Sequence, residues 1–319
     1  MILVADVGGT HTRLALAEHN AGTWRLSALR VVPTGDDVAA LIAAYRREFP
    51  DRPVAALGCC GAGPVDADGR IELTNAAVRL DPRALARAAG AEIAVVVNDF
   101  AAVARAVPAL GAGELRPCGG GPAPASAPCV VLGPGTGLGV ALLVPGEDWR
   151  VLPGEGGHVD LAAADEEEME LLHRLRAAHG RVCAETVLSG PGLERLYAAL
   201  APGERLRAEQ VAAAAWQGRE PAVRAVHRFT RWLGHFAGGL ALTAGAGGGV
   251  YIAGGIVPAW GERFDAGAFR AGFEDQPRFS ERLRAIPAYV VTHPQPGLLG
   301  AALLAEAELR QHSELVKKS

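Results

Sequence analysis

The sequence predicts a layered α/β fold made of two related halves, on three observations. Short apolar, β-branched runs alternate with segments whose apolar residues recur at helical spacing, as in a sheet covered by helices. A unit of strand, Gly/Thr turn and strand occurs twice, at positions 2–17 and 129–144, about one domain length apart. The 319 residues are enough for two domains.

In the first half, Ile2-Leu3-Val4-Ala5 reads as a strand, Asp6-Val7-Gly8-Gly9-Thr10 as a turn, and His11 to Ala17 as a second strand. Two glycines and a Thr at a hairpin tip can bring backbone N–H groups and a hydroxyl to an anion; they equally make an ordinary β-turn. Asp6 stands out, because a carboxylate ending an apolar strand needs a partner such as a metal–water shell. Trp24 to Val32 is a third strand, and Asp37 opens a helix to Phe49 with Val38, Leu41, Ile42 and Tyr45 on its apolar face. Val54 to Gly58 is a strand running into a breaker-rich loop, Cys59-Cys60-Gly61-Ala62-Gly63-Pro64. Ile71 to Asn75 follows, and Asp81-Pro82 starts a helix to about Ala89. The half closes on Ile93 to Val97, a buried strand that delivers Asn98 and Asp99 to its C-terminal edge ahead of a helix from Phe100 to Val107. Open α/β sheets place ligands at that edge. Asn and Asp are also favoured helix N-caps, so both readings stand.

Gly111 to Pro128 reads as a loop and as the domain boundary. Cys129 to Leu132 is a strand, Gly133 to Gly139 a second Gly/Thr tip carrying Thr136 and Gly137, and Val140 to Val144 a strand. Paired tips of this kind suit a polyphosphate held from both sides, or a structural duplication without a ligand. Leu152 to Asp160 reads as a loop in which glycines surround Glu155 and His158, able to present both to one small polar ligand. A metal could use the same pair, but no third ligand follows at a telling spacing. Asp165 to Glu170 is the acidic first turn of a helix to about His179, complementing its dipole. Glu185 lies at a helix edge within Arg181–Leu193, where alone it reads as a solvated face residue. Arg195 to Ala215 is helical with a break near Pro202-Gly203. Pro221 opens a long helix whose Val226, Phe229, Trp232, Leu233, Phe236 and Leu240 form a core stripe. Gly247 to Ile256 is a strand between glycine clusters; Gly254-Gly255 would let a flat base or ribose lie on backbone, or simply make a tight turn. Phe264 to Phe273 is helical, Ile286 to Val291 is a last strand, and Pro296-Gly297 starts a terminal helix through Glu308 or beyond.

Composition excludes several chemistries. A net charge of −4 gives no general positive field for nucleic acid or an anionic membrane. No apolar run is long enough to span a bilayer, and the N-terminus has the features of a strand and not of a signal peptide. The five cysteines form no Cys-x-x-Cys, which fits reduced thiols in a cytoplasmic protein and no zinc site. The only lysines are Lys317 and Lys318. A P-loop, a protein kinase and a pyridoxal enzyme each need a Lys in the body of the chain. No G-x-G-x-x-G, G-x-S-x-G or H-E-x-x-H is present.

Taken together, Asp6-Val-Gly-Gly-Thr10, Val97-Asn-Asp-Phe100, Gly135-Thr-Gly-Leu-Gly139, Leu152-Pro-Gly-Glu-Gly-Gly-His158, Val187-Leu-Ser-Gly-Pro-Gly-Leu193 and Ile252-Ala-Gly-Gly-Ile256 resemble the bacterial glucokinase family, within the sugar kinase/Hsp70/actin superfamily. These motifs span nearly the whole chain in family order. The resemblance implies a two-domain actin-like ATPase fold, a duplicated ribonuclease H-like architecture with an interdomain cleft. Residues 1–110 would form the smaller domain, completed by a C-terminal helix at about 297–319, and residues 111–296 the larger. It implies ATP-dependent phosphorylation of the glucose 6-hydroxyl, with Mg²⁺ entering mainly with ATP. By position Asp99 resembles the family's catalytic base, and Asn98, Asp99, Glu155, His158 and Glu185 its sugar-binding residues. Asp6, Val7, Gly8, Gly9 and Thr10, with Thr136 and Gly137, resemble its phosphate loops, and Gly254-Gly255 its adenosine site. No resident metal site is implied; glucose is the expected partner, and a homodimer is allowed. The chain departs from the family at His11-Thr12, where Asn then Ala is usual, and Cys59 to Gly63 reads unusually. Two alternatives share the fold: a kinase for another hexose or amino sugar, and a catalytically silent sugar-sensing regulator. A redox role for Cys59-Cys60 ranks below both, because vicinal cysteines rarely form an unstrained disulfide.

Overall fold

The computed structural model describes residues 1–319 apart from Ala21, Asn75, Ala125 and Ser319. Expectations that touch these four positions lie outside the described residues. By internal contacts the chain divides into two compact units, Met1–Leu110 with His293–Ser319, and Gly111–Thr292.

The first unit begins β1 (Ile2–Val7), β2 (His11–Asn20), β3 (Thr23–Pro33), α1 (Val38–Arg47) and β4 (Ala56–Gly61). A two-residue pair, β5 (Ile71–Glu72) and β6 (Arg79–Leu80), precedes α2 (Pro82–Ala89), β7 (Ile93–Asn98) and α3 (Asp99–Ala106). The sheet order is β3-β2-β1-β4-β7: the first three strands are antiparallel, while β1, β4 and β7 run parallel. The second unit contains β8 (Leu115–Pro117), β9 (Cys129–Pro134), β10 (Leu138–Val144), β11 (Arg150–Gly154), α4 (Glu166–His179), α5 (Ala184–Val187), α6 (Gly190–Leu200), α7 (Ala208–Trp216), α8 (Glu220–Ala244), β12 (Val250–Ile252), α9 (Ile256–Trp260), α10 (Ala266–Phe273), α11 (Ser280–Ala285) and β13 (Ala288–Val291). Its sheet order is β11-β10-β9-β12-β13-β8, again three antiparallel strands followed by parallel ones, with β8 closing the far edge antiparallel to β13. The same strand plan thus occurs in each unit. Helix α12 (Pro296–Lys318) belongs to the first unit.

Period-two alternation explains the layering of the first sheet. Leu3, Ala5 and Val7 of β1 pack with Val38, Ile42 and Tyr45 of α1 and Leu85 of α2. Ile2 and Val4 face the other way, onto Leu298, Ala301 and Ala302 of α12. That face has no room for side chains at two points. A Cβ on Gly58 would sit 2.2 Å from the Ala301 carbonyl oxygen, and one on Gly300 only 1.6 Å from that of Ala102. In the second unit the expected stripe of α8 is buried in one large core: Phe229, Trp232 and Leu233 are wholly enclosed beside Val130 and Leu132 of β9. Helix starts follow their caps. Asp37, Asp81 and Asp165 accept from the N–H groups of Ala40, Ala84 and Glu168 at 2.9, 3.0 and 2.8 Å.

Four sequence expectations are corrected. Asp6 and Val7 belong to β1 and not to the turn, since β1 pairs on both sides as far as Val7. Cys59, Cys60 and Gly61 are strand and not loop: placed between β1 and β7, their small side chains are buried on both faces of the sheet. Leu115–Pro117 within the expected boundary loop forms β8, which gains ladder bonds only from the distant β13. Leu152-Pro153-Gly154 extends β11 along β10, leaving only Glu155 onward as an irregular turn.

Candidate active site

In the first unit the expected residues gather at one sheet edge. Val7, Gly61 and Asn98 are register partners across β1, β4 and β7, so the C-terminal ends of three parallel strands are level. This is where open α/β sheets leave backbone groups free for a ligand. The hairpin tip Gly9-Thr10 is exposed, and Gly8 N–H closes the turn on His11 O at 3.0 Å. Two threonines brace it. Thr34 Oγ1 donates to Gly8 O at 2.7 Å, so its oxygen accepts from the buried Thr12 hydroxyl at 2.9 Å. The departure from the family pattern at Thr12 is therefore filled by a Thr–Thr pair behind the turn, while His11 faces solvent.

Asp6 has a partner other than a metal–water shell. Arg13, its register partner on β2, approaches with Nη1 3.5 Å from Oδ2, and the Cys60 thiol donates to Oδ1 at 3.7 Å. Burial pushes the Asp6 carboxyl up; Arg13 and Cys60 pull it part of the way back. Cys60 is itself raised well above the usual thiol range, first by burial and then by the carboxylates of Asp6 and Asp99. The sequence does not single out Arg13, and it marks Cys60 only as part of an unusual run and a redox alternative, not as a partner of Asp6. Period-two facing of Asp6 and Arg13 across a hairpin was the available signal.

Asn98 and Asp99 serve the local structure as well as the edge. Asn98 Oδ1 caps α3, accepting from Phe100 and Ala101 N–H at 2.9 and 3.2 Å, and its Nδ2 donates to Gly63 O at 3.2 Å. The cap fixes the rotamer of Asn98 and, with it, the exit of Asp99 from the strand. Asp99 Oδ1 accepts from the Phe100 N–H at 2.9 Å.

In the second unit, two groups of expected residues come together. The turn Gly135-Thr136-Gly137 closes through Gly135 N–H to Gly137 O and receives Gly190 N–H, at the start of α6, on Gly135 O, both at 2.8 Å. Gly254, in a left-handed conformation at φ +80°, presses on the same strand end: a Cβ there would lie 2.5 Å from Pro134 O. Gly255 N–H lies alongside, 3.7 Å from where a Gly135 Cβ would be. Thr136, Gly137, Gly254 and Gly255 therefore share one wall made largely of backbone.

Glu155, His158 and Glu185 form the second group. The 3-10 turn Gly156–His158 lies flat on β10, since a Cβ on Gly157 would meet Leu138 O at 2.2 Å. Glu155 and His158 remain exposed. Glu185 is half-buried, unlike a solvated face residue, and its Oε2 accepts the Leu138 N–H at 2.8 Å. A Cβ on Gly137 would lie 2.5 Å from that same oxygen. One carboxylate thus touches the Gly/Thr turn and belongs to the Glu/His group. His158 is raised above the usual imidazole range by a hydrogen bond with Cys183, with Glu185 and Glu155 adding to it against the effect of burial. Among the described residues no group of three or more His, Cys, Asp or Glu side chains is arranged to hold a metal ion. No described helix is long and apolar enough to cross a membrane.

A model of the glucokinase family matches residues 3–308. The glucokinase of Psychromonas ingrahamii is 43% identical over 318 residues, covering 97% of this chain and 97% of its own. That of Pectobacterium atrosepticum is 42% identical over 319 residues, again with 97% of each chain covered. Among solved structures, a glucokinase from an Antarctic psychrotroph matches with a TM-score of 0.86 and 34% identity, over 96% of this chain and 98% of that one. The two α/β units are accordingly those of the two-domain actin-like ATPase fold, and the chain belongs to the glucokinase family.

Proposed function

We propose that this enzyme transfers the γ-phosphoryl group of ATP to the 6-hydroxyl of glucose, with Asp99 as the general base. Its main support, beside membership of the family, is the level edge of β1, β4 and β7, which carries a Gly/Thr turn and an Asp on the same side of one sheet. Phosphoryl transfer asks little covalent chemistry of a protein; it asks for positioning and charge. Asp99 accepts the proton of the sugar hydroxyl as that oxygen bonds to the γ-phosphorus, and the bond to the β-phosphate oxygen breaks to release ADP. Such help is worth roughly 10²–10⁴-fold.

Backbone N–H groups of Gly9 and Thr10, and of Thr136 and Gly137, suit phosphate oxygens, since no lysine in the body of the chain is available for that task, while the Gly8 N–H closes the first turn on His11 O and shapes it. Mg²⁺ enters as part of the nucleotide substrate, and Asp6 is the carboxylate its water shell would meet. Gly254 and Gly255 give the adenosine a wall without side chains. Asn98, Glu155, His158 and Glu185 hold sugar hydroxyls, each with fixed direction, and a site of this kind rejects analogues lacking a hydroxyl by up to about 10⁴–10⁵.

Coupled kinetics with Mg-ATP over glucose, mannose, fructose, glucosamine and N-acetylglucosamine test the reading. Glucose with the highest kcat/KM supports it. A different best sugar removes the specificity claim and keeps Asp99; glucose binding without turnover of any sugar favours the regulator. Asp99→Asn is expected to keep glucose binding and to lose about 10²–10⁴-fold in kcat. Near-normal turnover in that variant would sink the role of Asp99.

A further inference from the structure

Glu185 stands between two groups of residues with different tasks. Its Oε2 accepts the Leu138 N–H at 2.8 Å, where the Gly135–Gly137 turn runs into β10. The other foot of the turn is held by the same segment: Gly190 N–H donates to Gly135 O at 2.8 Å. Between these two holds the segment is braced. The buried Ser189 hydroxyl donates to Glu185 O, and Leu188 N–H donates to Ala184 O, both at 2.8 Å. Residues 185–190 therefore clasp the turn at both ends, while Thr136 at its tip stays exposed. The contact is close. A Cβ on Gly137 would lie 2.5 Å from Glu185 Oε2 and 3.2 Å from its Cδ, and the three atoms nearest to it all belong to this carboxylate. Gly137 has no left-handed φ. What its missing side chain protects is the place of the carboxylate, not a backbone conformation.

We propose that Glu185 is a positioning residue for the Thr136–Gly137 turn and thereby couples the two substrates: a sugar hydroxyl on Oε1 fixes the carboxylate whose Oε2 sets the phosphate-binding turn. The proposal rests on Glu185 being a sugar contact and on the turn being a phosphate loop. A carboxylate offers two oxygens, each with lone pairs to spare. With Oε2 on the Leu138 N–H, Oε1 makes no hydrogen bond among the described residues and is the oxygen left for the sugar. The bond to Leu138 is charge-assisted, so it holds the turn more firmly than a neutral acceptor would. An unliganded Glu side chain spreads over several rotamers, and ordering it costs entropy. A sugar that selects the rotamer bound to Leu138 meets that cost before the nucleotide arrives. By linkage the nucleotide does the same for the sugar, and by the same factor.

The test is isothermal titration calorimetry on the full chain, with glucose alone and with Mg-ADP alone, in the wild type, Glu185→Gln, Glu185→Ala, Gly137→Ala and the double alanine variant. Glu185→Ala is expected to weaken glucose and also to weaken Mg-ADP roughly 3- to 10-fold with no sugar present. Glu185→Gln keeps an oxygen for the Leu138 N–H but offers the sugar an amide in place of an acceptor, so glucose weakens while Mg-ADP stays near the wild type. Gly137→Ala displaces the carboxylate from the side of the turn. It is expected to weaken glucose roughly 3- to 10-fold with no nucleotide present, and to have no further effect on glucose in the Glu185→Ala background. Unchanged glucose affinity in Gly137→Ala, or unchanged Mg-ADP affinity in Glu185→Ala, overturns the coupling and leaves the sugar role of Glu185 standing. If glucose binds Glu185→Ala as it binds the wild type, the sugar role fails and the coupling falls with it.

Discussion

The five cysteines show how far one residue type can diverge within a chain. Cys59 and Cys60 are adjacent, yet Cys59 packs with Leu3 and Ile42 on one face of the first sheet and Cys60 with Val4 and Leu298 on the other. Two thiols on opposite faces of a strand cannot meet, which removes the redox alternative. Burial pushes Cys59 and Cys60 far up and Cys118 up, and takes Cys129 to about 12, whereas Cys183 is lowered by its donors. Because the thiolate is the nucleophile, a lowered group reaches full reactivity at lower pH than an ordinary thiol with a pKa of about 8.5. Titration of the native enzyme with an aromatic disulfide reagent is expected to show one fast thiol, with a rate that levels off below that pH, and four that react only on unfolding. Peptide mapping should place the fast label on Cys183; a fast label elsewhere contradicts these environments. At this scale the cap at Asn98 was legible in the sequence, and its bonds to Phe100 and Ala101 fix where Asp99 leaves the strand.

At the scale of elements, helices follow local chemistry. Ser189 is the clearest case: its Oγ accepts from Gly192 N–H at 3.0 Å to cap α6 and donates to the Glu185 carbonyl at 2.8 Å, with the side chain wholly buried. It joins the start of α6 to the end of the segment carrying Glu185. Ser189→Ala is expected to destabilise the second unit by about 1–2 kcal/mol, the usual cost of a lost N-cap, measured by urea unfolding. A loss within error would mean that the two bonds are replaced by water. Strands were less legible than helices. β4 was read as ending at Gly58, because two cysteines and the glycines at 61 and 63 look like breakers. Its continuation is decided by β1 and β7, which supply hydrogen bonds on both sides. β8 and β11 were missed for the same reason, each being an edge strand held by a single neighbour.

For the molecule as a whole, both ends of the chain build the first unit. The join is a backbone contact, made where Gly300 lets α12 reach α3 and Gly58 lets it reach β4. Gly300→Ala is expected to lower stability by about 1–3 kcal/mol, as overpacking does, and to expose the C-terminal helix to limited proteolysis. Gly239 of α8 is the control, since nothing lies within 4 Å of the Cβ it would gain. There, alanine should be neutral or stabilise by up to roughly 1 kcal/mol through helix propensity. Equal losses at both positions would argue against close packing as the cause.

The sequence by itself determined the α/β class, the duplication, most helices with their caps, and the two Gly/Thr turns. Each of these follows from spacing and from backbone preferences within a few residues. It also displayed Asp99, Glu155 and His158 in surroundings that point to a ligand, whereas Glu185 reads from the sequence alone as a solvated face residue. Tertiary structure alone decided that Asp6 meets Arg13 and Cys60 and that Glu185 leans on the turn at Gly137. Those contacts depend on which strands become neighbours and in what register, and pairing free energy is shared across segments far apart in sequence, so no local pattern records it.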